Sequence, residues 1–209
     1  LKDVRTGSVV YSLAMKVQGT DPTRSAGKVH KPKTSQARAP VNPDQVELGN
    51  SLRSVVGNPS VRKELQQLVD SSIVKGKPFP NQSYLISGAS GNGVGTVSQA
   101  LRRDLSAWGV KIFQVSGDKL ALQTGAAGLT KLFKEAHSAA AASPNHTAVI
   151  FIDDVEKAFP IRSTSNSARN RLLGAFLDEA GSLQSDNGSR LLLVGTSTDF
   201  NAIDSSAFK

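Results

Sequence analysis

Two groups of residues in this 209-residue chain have the types and spacing to do chemistry. The first is Gly88-Ala89-Ser90-Gly91-Asn92-Gly93-Val94-Gly95-Thr96, a glycine-rich turn that follows the apolar run Tyr84-Leu85-Ile86-Ser87. A strand, a glycine turn and a helix start, in that order, present backbone N–H groups and a helix N-terminus to a phosphate. The second is Asp153-Asp154 at the end of the apolar run Ala148–Ile152. In an acidic pair leaving a buried strand, the first carboxylate can hold Mg²⁺ through water and the second can polarise an attacking water. The alternative for the pair is a cap on the turn that follows.

The glycine loop has the architecture of a phosphate site without its charged groups. The pattern Gly-x-x-x-x-Gly-Lys-Ser/Thr places its glycines on Gly88 and Gly93. The lysine position then holds Val94, which offers no charge to phosphate, and the hydroxyl position holds Gly95, which offers the metal nothing. Shifting the register by one residue brings Thr96 to the hydroxyl role but supplies no lysine.

Hydrophobic spacing predicts the elements that must position these groups. Asn58 or Ser60 is expected to cap a helix running to about Ile73, with Val61, Leu65, Leu68 and Val69 on one face. Tyr84–Ser87 reads as a buried strand. Thr96–Trp108 reads as a helix showing Val97, Leu101, Leu105 and Trp108 to the core. Val110–Val115 is a second strand, and Leu129–Ala142 a helix with Leu129, Leu132, Phe133 and Ala136 inward. Ala148–Ile152 is a continuous apolar run, as a central parallel strand requires. Ser167–Ala180 is a helix displaying Leu172, Leu173, Phe176 and Leu177, and Arg190–Thr196 is another central strand. The alternation implies an α/β fold with a parallel sheet covered by helices on both faces.

The ordered blocks over about residues 48–209 resemble the AAA+ ATPase family, and its AAA-type members in particular. Val55-Val56-Gly57-Asn58 resembles the short motif ahead of the first helix. Gly88–Thr96 stands where the Walker A loop belongs, and Ile150-Phe151-Ile152-Asp153-Asp154 stands for Walker B. Leu132-Phe133-Lys134-Glu135-Ala136 is similar to the segment before Walker B. Ala168–Leu173 is similar to the helix after it, and Leu192–Thr198 to the sensor-1 strand, with Asp199–Asp204 as its following turn. The resemblance implies a P-loop NTPase-type large subdomain. It implies that Gly88, Ala89, Ser90, Gly91, Asn92, Gly93, Val94, Gly95 and Thr96 surround the phosphates of ATP or ADP, and that Asp153 takes Mg²⁺ if nucleotide binds.

The departures from the family pattern fall on catalytic positions. Val94 and Gly95 replace the lysine and hydroxyl, Asp154 stands for the catalytic glutamate, and Thr198 stands for the sensor-1 asparagine. Such changes, the lost lysine above all, are expected to remove much of the phosphate binding and transition-state charge stabilisation. ATP or ADP with Mg²⁺ is therefore expected to bind weakly or not at all. The pore-loop position holds Gln123-Thr124-Gly125 without an aromatic grip. The helical lid and arginine fingers are not present in this stretch, which stops at Lys209; either the parent chain continues or they are absent.

Composition sets the remaining bounds. The chain opens on Leu1, as expected of a fragment, and contains no cysteine, which excludes disulfides, thiolate zinc sites and thiol nucleophiles. No apolar run approaches the roughly 20 residues that span a bilayer. Of the net charge of +8, residues 1–45 carry +5 (eight Lys/Arg against three Asp/Glu). Within residues 1–47, Ser8–Val17 reads as a short strand and Gly19 to about Pro43 as an extended linker. That extension is either a solvated linker or an arm for RNA or an acidic protein surface. Elsewhere, His30, His137 and His146 show no metal-ligand spacing, and Arg102-Arg103 reads as a solvated helix face or as a contact for an acidic neighbour. Trp108 is core or an interface anchor. Arg162, Arg169 and Arg171 are candidates for contact with a neighbouring subunit. The partners implied are other AAA+ subunits or a large protein complex. Three functions follow: an inactive structural or regulatory subunit, a weak NTPase, or an RNA- or ribosome-associated platform.

Overall fold

The computed structural model describes residues 51–162, 167–183 and 188–208. The strand Ser8–Val17, the linker from Gly19, the basic arm 1–45 and the boundary at residues 47–48 lie outside the described residues.

Four parallel strands form one sheet in the order β1-β4-β3-β2: β1 Ser83–Ser87, β2 Lys111–Ser116, β3 Thr147–Asp153 and β4 Arg190–Ser197. The two apolar runs read as central strands are the two central ones. Strand alternation divides the core into two layers. Tyr84, Ile86, Val149, Phe151, Leu192 and Val194 point to one face. There they meet α1 (Ser51–Ser54), α2 (Pro59–Leu68) and α3 (Val94–Ala107). Leu85, Ile150, Ile152, Leu191 and Leu193 point to the other face. They pack on α4 (Gly125–Ala142), α5 (Val155–Ala158) and α6 (Ser167–Ala180). Helices on both faces are what buries a parallel sheet.

Several boundaries differ from expectation. Asn58 sits at the N-cap of α2 in left-handed conformation and makes no side-chain cap; Pro59, with φ preset for a helix, starts it instead. The expected single helix to Ile73 ends as α-helix at Leu68 and widens into a π-helical turn, Val69–Val74. A second π turn, Leu120–Thr124, follows a three-residue turn, Gly117–Lys119, and α4 then begins at Gly125 rather than Leu129. Helix α3 begins at Val94, two residues before Thr96.

One buried carboxylate ties the first layer together. Asp104 of α3 is fully buried and accepts the backbone N–H groups of Ser51 (2.7 Å) and Leu52 (3.1 Å). It satisfies donors at the start of α1 that the helix leaves open.

Candidate functional site

The carboxyl ends of β1, β4 and β3 lie side by side, the edge at which open α/β sheets hold ligands. Leaving β1, Gly88 donates its N–H to Ser197 O of β4 (3.1 Å), which anchors the glycine loop to the neighbouring strand. The Asn92 N–H closes a turn on Ala89 O (3.0 Å), and Val97 N–H on Gly93 O (2.9 Å) is the first helical bond. Gly93 is the N-cap at φ 84°, a conformation that a side chain resists, so glycine is required for this entry into α3. The N–H groups of Val94, Gly95 and Thr96 form the first turn and have no partner along the helix. The loop therefore has the backbone of a phosphate cradle. The chemistry of its side chains is another matter: Val94 packs against the core beneath α3, and Gly95 and Thr96 are exposed.

At the end of β3, Asp153 is gripped by three side chains. Arg102 Nη1 of α3 lies 3.3 Å from Asp153 Oδ2, and Gln114 Nε2 of β2 donates to the same oxygen at 2.6 Å. Thr196 Oγ1 of β4 donates to Oδ1 at 3.2 Å and accepts the Asp154 N–H at 3.3 Å. The expected solvated character of Arg102 does not hold. Its guanidinium lies 5.3 Å over the Phe151 ring, two residues back on the same strand face.

Asp154 occupies left-handed backbone at φ 55° and makes no side-chain cap, so its carboxylate is free for side-chain partners. Lys157 takes it at 3.1 Å and takes Asp118, beyond β2, at 2.9 Å. Asp118 first and Asp154 second hold the Lys157 ammonium above the usual lysine range. The two loops meet closely because residue 117 is glycine: a Cβ there would stand 2.1 Å from Asp154 O.

Thr198, just beyond β4, donates both its N–H (3.1 Å) and its hydroxyl (2.8 Å) to Glu156 Oε1. Glu156 Oε2 is buried without a partner. Arg162 is engaged within the chain, through Asp204 (3.2 Å) and Ser206 (2.8 Å). Hydrogen bonds from Ser206, foremost its hydroxyl, hold the buried Asp204 carboxyl below the usual range, with help from Arg162.

The structure brings Gly88–Thr96, Asp153, Asp154 and Thr198 to one edge of the sheet. Sequence reasoning missed Thr196, Gln114, Lys157, Asp118 and the roles of Arg102 and Glu156. Two of these had a signal. Arg102 lies seven residues after Gly95, on the same helical face, and Thr196 lies two before Thr198, on the same strand face. Beside Gln123-Thr124-Gly125 the exposed apolar side chain is Leu122, not an aromatic. No group of His, Cys, Asp and Glu that could hold a metal occurs among the described residues. Mg²⁺ needs near-octahedral oxygen ligands. Here the Asp153 carboxylate already accepts from three donors, one of them a guanidinium, and Gly95 stands in place of a hydroxyl. This donor set fits a guanidinium and does not fit Mg²⁺.

A model of the ATPase family associated with various cellular activities (AAA) matches residues 84–209. No curated protein matches the chain.

Proposed function

The chain belongs to the AAA family of ATPases, and we propose that it serves there as a subunit with an impaired nucleotide site, a structural or regulatory member of a larger, ring-type assembly. One observation carries this reading. The loop keeps its left-handed turn at Gly93 and its entry into α3, while the side chain at the lysine position is Val94, packed on the core. A fold kept intact around a site without its charges favours docking over turnover. Asp154, paired with Lys157, and Thr198, paired with Glu156, support the same reading.

Calorimetry of ATP and ADP tests it, comparing the natural chain with a Val94→Lys/Gly95→Thr variant. A Cβ at Gly95 meets nothing within 4 Å, so the variant has room. No binding by the natural chain and binding gained by the variant is the expected result. Micromolar or tighter binding by the natural chain would overturn it.

A second reading, a weak ATP-binding or hydrolysing remodelling subunit, is favoured by the open first-turn N–H groups of α3, which suit an anion without any lysine. Turnover that disappears in Asp154→Asn would support it; turnover that persists there would overturn it.

For partners, a groove of about 760 Å³ in the described domain is edged by Arg53, Arg62, Lys63, Lys75 and Lys77 against the single acid Asp70, and the extension 1–45 is itself basic. This favours an anionic surface, that of an acidic protein or of RNA, as the contact. Binding that weakens steeply with salt and is abolished by deleting residues 1–45 is its expected signature.

A further inference from the structure

We infer that Arg102 is the resident cation of this site: its guanidinium takes the place of a divalent ion at Asp153, and any nucleoside phosphate the loop holds is held as the free anion. The inference rests on the nucleotide-loop reading above and extends it to the metal.

Three observations converge on it. Arg102 rises from α3 two turns beyond Gly95, on the face where a hydroxyl would otherwise reach the metal. It is held from two sides, by Asp153 Oδ2 at 3.3 Å and by the Phe151 ring at 5.3 Å, and its side chain is only 21% exposed. The rest of the shell completes the replacement: Gln114 and Thr196 donate to the carboxylate, at 2.6 Å and 3.2 Å. Waters on a metal ion would have to donate to those same lone pairs, and the ion's charge would face the guanidinium at close range. A planar, permanently charged group that stacks on an aromatic ring is well suited to hold this position; a hydrated ion is not.

Mn²⁺ is the probe, added to the isotope-labelled full chain without nucleotide, and read as paramagnetic broadening of backbone amides. In the natural chain the amides of Asp153, Asp154 and Thr196 should broaden no more than that of Asp178, an exposed carboxylate on α6. Arg102→Met keeps the stem over Phe151 and removes the charge. In that variant broadening at the three amides should rise several-fold, and adding Asp153→Asn should cancel the rise. Arg102→Gln is the second variant should Arg102→Met fail to give a folded spectrum.

Broadening in the natural chain equal to that in the variant would overturn the inference, because the arginine would not be excluding the ion. So would no broadening in either, because removing the arginine would then open no cation site. No nucleotide is present, so failure here leaves the reading of the glycine loop standing, and calorimetry in EDTA judges that separately.

Discussion

Each end of the parallel sheet has an arginine laid over an aromatic ring, and the two are held by different chemistry. At the amino ends, Arg190 opens β4 and donates to the carbonyls of Lys77 (2.8 Å), Ser72 (3.4 Å) and Asn145 (3.4 Å) and to Thr147 Oγ1 (3.0 Å). Its guanidinium lies 5.0 Å over the Phe79 ring. At the carboxyl ends, Arg102 stacks on Phe151 in the same way but faces a carboxylate, Asp153. These four partners of Arg190 are neutral dipoles fixed in the chain. The partner of Arg102 is a charge, reachable by solute ions. One arginine therefore clamps strand starts together. The other fills a charged position at the edge where ligands bind.

The largest expected effect would break that contrast if it failed. Arg190→Met leaves several partly buried acceptors without a donor and should cost about 2–4 kcal/mol. Arg102→Met keeps the stacking and removes a pair that is partly exposed, and should cost only about 1 kcal/mol. Urea denaturation of both variants decides it. Equal losses would mean that Arg102 too is chiefly a structural clamp.

Close approach at the carboxyl edge is the next lever. Gly117→Ala places a methyl against the Asp154 carbonyl and should cost about 1–3 kcal/mol as overpacking. Because the loops of Asp118 and Asp154 must part, the amide shift of Lys157 should also change. A neutral substitution would show that the two loops are not pressed together.

How much of this was legible in the sequence follows from which signals are local. Ser167–Ala180 is a helix over the residues its spacing marked, and the apolar runs before Asp153 and Thr198 are central strands, because burial on both faces leaves a continuous signature. The glycine loop was legible because phosphate cradles need left-handed turns at set spacing. The π turns Val69–Val74 and Leu120–Thr124 were not, since a single wide turn has no repeat to read. Nor were the partners of the two acids. Asp118 and Lys157 meet only because parallel strands β2 and β3 deliver their loops to the same edge. Arg102 had the right helical phase, but phase alone does not tell a solvated arginine from one folded over a ring.

A second arginine–carboxylate pair at the carboxyl edge sharpens the contrast through pH. Asp204 is buried and its folded pKa is depressed, so the stability it contributes is present above its unfolded value, about 3.9, and is lost as pH falls through the lower folded value. Asp204→Asn should therefore unfold at a lower temperature than the natural chain at pH 6, with the two curves converging below about pH 4. A constant gap down to pH 2.5 would mean that the Ser206 and Arg162 bonds do not depend on the charge.

The smallest effect belongs to Lys157, and its smallness is the point. The ammonium is exposed between Asp118 and Asp154, and water competes for every bond it makes. Its pKa is raised, so whatever stability it adds is fully present below the unfolded value of about 10.4 and is lost only above it. Between pH 5 and 9, Lys157→Met should leave the unfolding temperature unchanged while shifting the Asp154 carboxyl resonance, because that acid loses its neighbouring charge. A clear loss of stability would place Lys157 with Arg190 among the clamps. A silent Asp154 would mean that the lysine does not hold that carboxylate in solution.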